Sequence, residues 1–367
     1  MGIKTKVKSL FLCASILPLA GLASAEPVEI KMTSVFPPGI NLVDTDMHFV
    51  KTVNEIAGDR IKIKFFPGGT LIPSSQVFDA VSSGAVDAAG DWAGYWAGAD
   101  SAFSILGSFP MLLTASDYIL WLEQWGGYEA FQKVYSKFNI VYLPFGVVSM
   151  ESGLRSTKAL ASLEDLKGKK IRMSGRPQGE ILQKLGAAQV QLPGGEVYQA
   201  LERGVVDAAE FSSPGVDWGL GLQEVTSHWL TPGWHQPGSV LGLAFNKNAW
   251  NELAPDIQSL LETAAKANLL WSLAYYEKSA VEAHRKFLES GTQISTLSGD
   301  EMRRLQELAN QALVESACDN SLYAEIAASQ VNYLKDYEGW RSLQGDFAMG
   351  RNLPILPDVD KITNCIK

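Results

Sequence analysis

A chain of 367 residues with 46% hydrophobic residues, 19% charged residues and a formal charge of −9 is long enough for more than one hydrophobic core. Its acidity argues against nucleic acid or an anionic membrane surface as a partner. Four histidines (His48, His228, His235 and His284) without metal-ligand spacing, and three cysteines without a CxxC pair, argue against a zinc centre.

The chain opens as a secretory signal peptide. Lys4, Lys6 and Lys8 precede an apolar run, Leu10–Leu22, and Ala23-Ser24-Ala25 is a small-residue cleavage site. The run is shorter than the ~20 residues a membrane span needs. Cleavage after Ala25 removes three lysines and no acid, so the exported, periplasmic chain is more acidic still. Of the cysteines only Cys318 and Cys365 then remain, and an oxidising compartment permits a disulfide between them.

"VEIKMTS" and "IKIKFF" alternate apolar and polar residues as half-buried strands do. The second meets "FPGG" (Phe66–Gly69), and "LPGG" (Leu192–Gly195) occupies the equivalent place in the other half. After each PGG comes a copy of one pattern, "VFDAVSSGAVDAA" (Val77–Ala89) and "VYQALERGVVDAA" (Val197–Ala209). Each reads as a helix ending at a glycine, Gly84 or Gly204, followed by a short strand, so the repeated unit is a βαβ crossover and the chain builds two α/β lobes. Past the shared Ala-Ala the copies diverge, into "GDWAGYW" and "EFSSPGVDW". Strand carboxyl ends in open α/β sheets deliver ligand-contacting residues, so the tips are expected to face one cleft: Asp91, Trp92, Tyr95 and Trp96 from the first lobe, Glu210 and Phe211 from the second. Drift of loop tips after an old duplication is the plainer alternative. Beyond Val240 a strand leads to Asn248 as an N-cap and then to some forty helical residues, with Pro255 in a first turn. Gly299–Ser316 and Ala324–Leu343 are expected as further helices.

No nucleophile elbow, phosphate loop or complete dinucleotide fingerprint is present. Arg172 closes the strand "KKIRM", where its planar guanidinium suits a carboxylate, although a surface arginine fits the same pattern. Glu151 and Glu210 each end an apolar strand. A buried carboxylate must be paired or bound to a cation, so Arg172 pairs one of them or a hard cation such as Ca²⁺ or Na⁺ bridges both, unless they sit on a solvated rim.

"LEDLKGKKIRMSG" (Leu163–Gly175), "GGEVYQALERGVVDAAEF" (Gly194–Phe211) and "FNKNAWNELAPDIQ" (Phe245–Gln258) resemble the extracytoplasmic solute-binding subunits of TRAP transporters, the tripartite ATP-independent periplasmic carriers. The resemblance runs from about Ile30 to the tail and is greatest to the branch that binds 2-oxo acids, helped by "PGW" (Pro232–Trp234) and by Tyr95-Trp96. It implies a two-lobed periplasmic binding protein fold with a long helix bracing both lobes and a helical C-terminal extension. It also implies that Arg172 grips the ligand carboxylate and that Glu151, Glu210, the Phe211 carbonyl and Gln236 hold a Na⁺ or Ca²⁺ ion touching the same ligand. Tyr95, Trp96, Trp234 and Phe211 would wall the pocket. That branch carries Gln where Glu151 stands and Glu where Gln236 stands, so carboxamide and carboxylate are exchanged across the cleft.

Residues and resemblance together divide the chain into a signal peptide (1–25), a first lobe (26–149), a second lobe (150–236), a strand crossing back to the first (237–250), and long helices with the C-terminal extension (251–367). The expected function is capture of a small 2-oxo or 2-hydroxy monocarboxylate, pyruvate- or lactate-like, for delivery to the membrane TRAP permease subunits, without catalysis. Some relatives of this kind dimerise through C-terminal helices, and the last helical block is long enough for a homodimer. Two rivals remain at this point: a glycoside-processing enzyme using Glu151 and Glu210 as acid and base, and a carboxylate-sensing ectodomain.

Overall fold

The computed structural model describes residues 1–2 and 27–345. The signal segment and Cys365, with the disulfide expected of it, therefore lie outside the described residues; Cys318 is exposed. Among the described residues no helix is long and apolar enough to cross a membrane.

Two sheets organise the chain. The first has the order β2-β1-β3-β10-β4 and the second β11-β9-β5-β8-β6-β7. The strands are β1 (Val28–Ser34), β2 (Ile61–Phe65), β3 (Ala88–Asp91), β4 (Ile140–Val148), β5 (Leu154–Ser156), β6 (Lys170–Arg172), β7 (Ala188–Val190), β8 (Ala208–Ala209), β9 (His228–Thr231), β10 (Ser239–Asn246) and β11 (Gln293–Thr296).

The sequence repeat is a structural repeat. β1 pairs in parallel with β2 and β3, and β6 pairs in parallel with β7 and β8. The repeated Asp does the same thing in both copies. Asp87 Oδ2 accepts a hydrogen bond from the Lys31 backbone N–H at 2.7 Å, and Asp207 Oδ2 accepts one from Lys170 N–H at 2.8 Å. Each ties the start of its strand to the central strand, and the small Ala-Ala that follows is fully buried. Gly84 closes its helix in the left-handed conformation, φ 80°, a placement that costs glycine little.

Three connections pass between the sheets: Ser149–Gly153 from β4 to β5, Pro232–Gly238 from β9 to β10, and the helix Pro255–Glu289. The first two touch, with Glu151 N–H donating to Gln236 O at 3.1 Å. A Cβ at Gly233 would lie 2.0 Å from Glu151 O, so only glycine permits that approach. The brace, 35 residues and about 50 Å long, serves both lobes. Asn268 donates to Thr45 O and Phe145 O of the first lobe, and Phe287 packs on Trp218 and Trp229 of the second.

Two expectations shift. The cap before the brace is Asn246, not Asn248: the Asn246 side chain accepts from the N–H groups of Asn248 and Ala249, starting a short helix that ends before Pro255. The stretch between the brace and the helix expected from Gly299, for which no strand was expected, contributes β11 to the edge of the second sheet, parallel to β9. The last two helices run Gly299–Asp319 and Ser321–Gln344. The former is tied to the second lobe through Glu301 and Leu163, and the latter to the first through Tyr333 and Asp117, so Asn320 is a fourth crossing.

Candidate functional site

Both sheets present strand ends to a shared cavity. Phe36, Leu42, Trp92 and Tyr95 line it from the first lobe, Arg172, Ser174, Phe211 and Ser212 from the second, and Glu151 and Gln236 from the two touching connections. Phe211 is held by the PGG turn: a Cβ at Gly194 would lie 2.1 Å from the Phe211 ring.

Arg172 and Glu210 form a buried ion pair at 3.0 Å, exposed by 1% and 0%. The guanidinium also donates to Glu210 O and, from Nε and Nη2, to Leu192 O at 3.2 and 3.0 Å. These bonds occupy four of the roughly five N–H donors a guanidinium has. The open fork expected of Arg172 is thus already turned toward Glu210, and one N–H is left for a ligand. Ser174 N–H gives Glu210 Oε1 a second bond at 2.5 Å. Burial alone would raise the Glu210 carboxyl, but Arg172 and the Ser174 N–H hold it below the usual carboxylate value.

Glu151 faces the opposite balance. Burial, then the charge of Glu210, pushes its carboxyl well above the ordinary range. Its Oε2 lies 2.9 Å from His235 Nε2. His235 is fully buried and burial pushes its imidazole down to about 4, so it is neutral at pH 7. Oxygen or nitrogen atoms of Glu151, Glu210 and His235 all fall within 4.8 Å of one another. Around them, Glu210 Oε2 and Gln236 Oε1 are buried acceptors with no donor among the described residues. Orphaned oxygens beside a second carboxylate fit a hard cation, which satisfies acceptors without needing a proton.

Glu151, Glu210, Gln236, Arg172, Phe211 and Tyr95 are thus brought together. Trp96 and Trp234 are not on the cavity wall. Trp96 donates from Nε1 to Asp91 Oδ1 at 2.7 Å and stacks on Phe78, inside the first lobe. Trp234 is buried against His235, its carbonyl accepting from Met111 N–H. Sequence reasoning missed Phe36, Leu42, Ser174 and His235. His235 stands beside Gln236, but dismissing histidines for want of ligand spacing looked only along the chain, and this one meets its partners through the fold.

The chain matches the bacterial extracellular solute-binding proteins, family 7, over residues 34–319. It belongs to that family. The assignment agrees with the two-lobed fold and with the resemblance to TRAP solute-binding subunits. A monocarboxylate 2-oxoacid-binding periplasmic protein from Nostoc sp. PCC 7120 is 32% identical to this solute-binding protein over 343 residues, covering 94% of this chain and 91% of the other. Two solved TRAP solute-binding proteins are each 28% identical to it. One, from Bordetella bronchiseptica RB50, is a mixed-occupancy dimer with copurified calcium and picolinate (TM-score 0.82, 87% of this chain and 95% of that one). The other, from Colwellia psychrerythraea, holds calcium and pyruvate (TM-score 0.81, 87% and 97%).

Proposed function

We propose that this family member captures a small 2-oxo or 2-hydroxy monocarboxylate of the pyruvate and lactate class together with a Ca²⁺ or Na⁺ ion, and delivers it to a membrane permease. The observation that carries the reading is a pair of buried, partnerless acceptors: Glu210 Oε2, on a carboxylate within 4.8 Å of Glu151, and Gln236 Oε1, on a side chain that lines the cavity with Glu151 and Arg172. Glu151, Glu210, Gln236 and the Phe211 carbonyl would hold the ion, which supplies a positive centre for ligand oxygens; Arg172 offers its remaining N–H to the carboxylate, and Tyr95 covers the opening. Binding is favoured over glycoside hydrolysis because oxygens of Glu151 and Glu210 lie within 4.8 Å of each other, closer than the about 5 Å or more at which acid and nucleophile flank the bond they cleave. Export with cleavage after Ala25, a hinge at Ser149–Gly153 and Pro232–Gly238, and a homodimer through the C-terminal helices complete the proposal.

Calorimetry with pyruvate and lactate tests it. Exhaustive chelation and desalting should weaken binding, and Ca²⁺ or Na⁺ should restore it. Glu151→Gln should weaken binding by removing a carboxylate, and adding Gln236→Glu should recover much of the loss, a non-additivity that only residues sharing a partner give. Additive mutants with metal-independent binding would exclude the bridging ion.

A further inference from the structure

A second cavity, of about 200 Å³, lies beside the first. Its walls are the connection Ser149–Ser152, Pro214, Trp229 and Thr231 of the second lobe, and Glu277 and Ala280 of the brace. Glu151 lines both cavities. Glu151 is therefore the residue at which the two compartments meet.

The two compartments differ in charge. The first includes the guanidinium of Arg172. Among the described residues no lysine, arginine or histidine lines the second, whose ionisable groups are Glu151 and Glu277. The second compartment therefore favours a cation over an anion. The second compartment also has room for water. At about 30 Å³ per molecule the space admits several waters, enough to keep an ion partly hydrated. A carboxylate seated beside Arg172 fills the first cavity and leaves the second untouched.

We propose that the second cavity is the route by which a hydrated alkali or alkaline-earth cation reaches and leaves Glu151, separate from the opening that admits the carboxylate ligand. The proposal rests on the cation reading above. It makes ligand and ion exchange independent: the ion can leave a protein whose ligand cavity is still filled.

Stopped-flow luminescence of Tb³⁺, a hard oxygen-seeking probe sensitised by nearby tryptophans, tests this on the full mature chain saturated with pyruvate. On mixing with EDTA, Tb³⁺ should leave faster than pyruvate does. Ala280→Trp should slow Tb³⁺ loading and release alike by about tenfold, because a plug raises one barrier from both sides. Its equilibrium affinities for Tb³⁺ and pyruvate should stay within about twofold, which also reports that the variant is folded. Glu277→Lys, at an exposed position, should slow loading several-fold, with the effect shrinking as salt rises. Tb³⁺ release locked to pyruvate release, or loading and release unchanged in both variants, would overturn the route and leave the cation reading standing. A wild-type protein that binds neither Tb³⁺ nor Ca²⁺ would overturn both.

Discussion

Arg172 has two partners to serve. Fully buried, it neutralises Glu210 and fastens the Leu192 carbonyl beside the second PGG turn. Arg172→Ala should weaken the carboxylate ligand at least ~100-fold, from a loss of about 3–5 kcal/mol when one side of a buried pair is removed. Part of that loss falls on the free protein, because Glu210 is left without its counter-charge, so the melting temperature should drop even without ligand. Lysine should not rescue either effect, since a point charge cannot reach Leu192 O and Glu210 together. Near-normal calorimetric affinity for Arg172→Ala would place the ligand carboxylate elsewhere. In the first lobe the position equivalent to Glu210 is Gly90, and there a Cβ would lie 2.1 Å from Asp46 Oδ1. The duplicated strand end thus meets a carboxylate in both lobes, from its own chain position in one and from the helix Val43–Ala57 in the other. Asp46 is fully buried and accepts from Ser34 Oγ at 2.5 Å; burial raises its carboxyl from 3.8 to about 8. The folded state binds this proton more tightly than the unfolded chain does. Its contribution to stability is therefore complete below about 3.8 and is lost as pH rises toward about 8. Asp46→Asn should flatten the fall of melting temperature across that window. An unchanged profile would show that Asp46 ionises without cost.

At the scale of elements, the repeat explains which part of each βαβ unit was free to change. Asp87 and Asp207 each tie their strand to the middle strand through one backbone N–H, and neither lines the ligand cavity. Alanine at either position should cost about 1 kcal/mol, the net value of one partly solvated hydrogen bond, by chemical denaturation. Ligand affinity should be unaffected in both. A large affinity loss in Asp207→Ala alone would mean that β8 transmits strain to Glu210. The residues beyond the strand ends carry no such shared duty: Trp92 donates to Ser239 Oγ at 2.7 Å and walls the cavity, while Phe211 seals against Gly194.

For the whole molecule, four connections cross between the lobes, and residues of both lobes line the cavity. Ligand that touches both lobes favours the form in which they are closed. Solution scattering should show a smaller radius of gyration with ligand than without, and a radius unchanged at saturation would indicate a rigid pocket. The fourth connection adds a counterweight. The last helix buries Tyr333 against the first lobe, its hydroxyl donating to Asp117, while its predecessor is tied to the second. Ending the chain at Asp319 should uncover Trp121, whose Nε1 donates to Ser329 Oγ, and lower the melting temperature by several degrees.

What the sequence determines by itself is local or repetitive. Strand alternation, the PGG turns, Gly84 and Gly204 as helix stops, and the doubled V-D-A-A are patterns of a few neighbouring residues, and backbone sterics read them the same way wherever they occur. The ordered motifs that mark the family are legible for the same reason, and with them Arg172, Glu151, Glu210 and Gln236 as cleft residues. Only the tertiary structure decides which side chains meet. Trp96 and Trp234 look like pocket walls on the strength of their neighbours in sequence, yet an indole follows the nearest apolar surface and a partner for its N–H, and for Trp96 both lie inside the lobe. His235 joins Glu151 across 84 residues, and β11 finds the edge of the second sheet after a helix about 50 Å long. The pairing of Arg172 with Glu210 rather than Glu151 likewise depends on a register, β6 against β8, that sets Arg172 opposite Ala209 and so one residue from Glu210. Long-range contacts of this kind are fixed by packing whole elements together, and no window of the chain contains both partners.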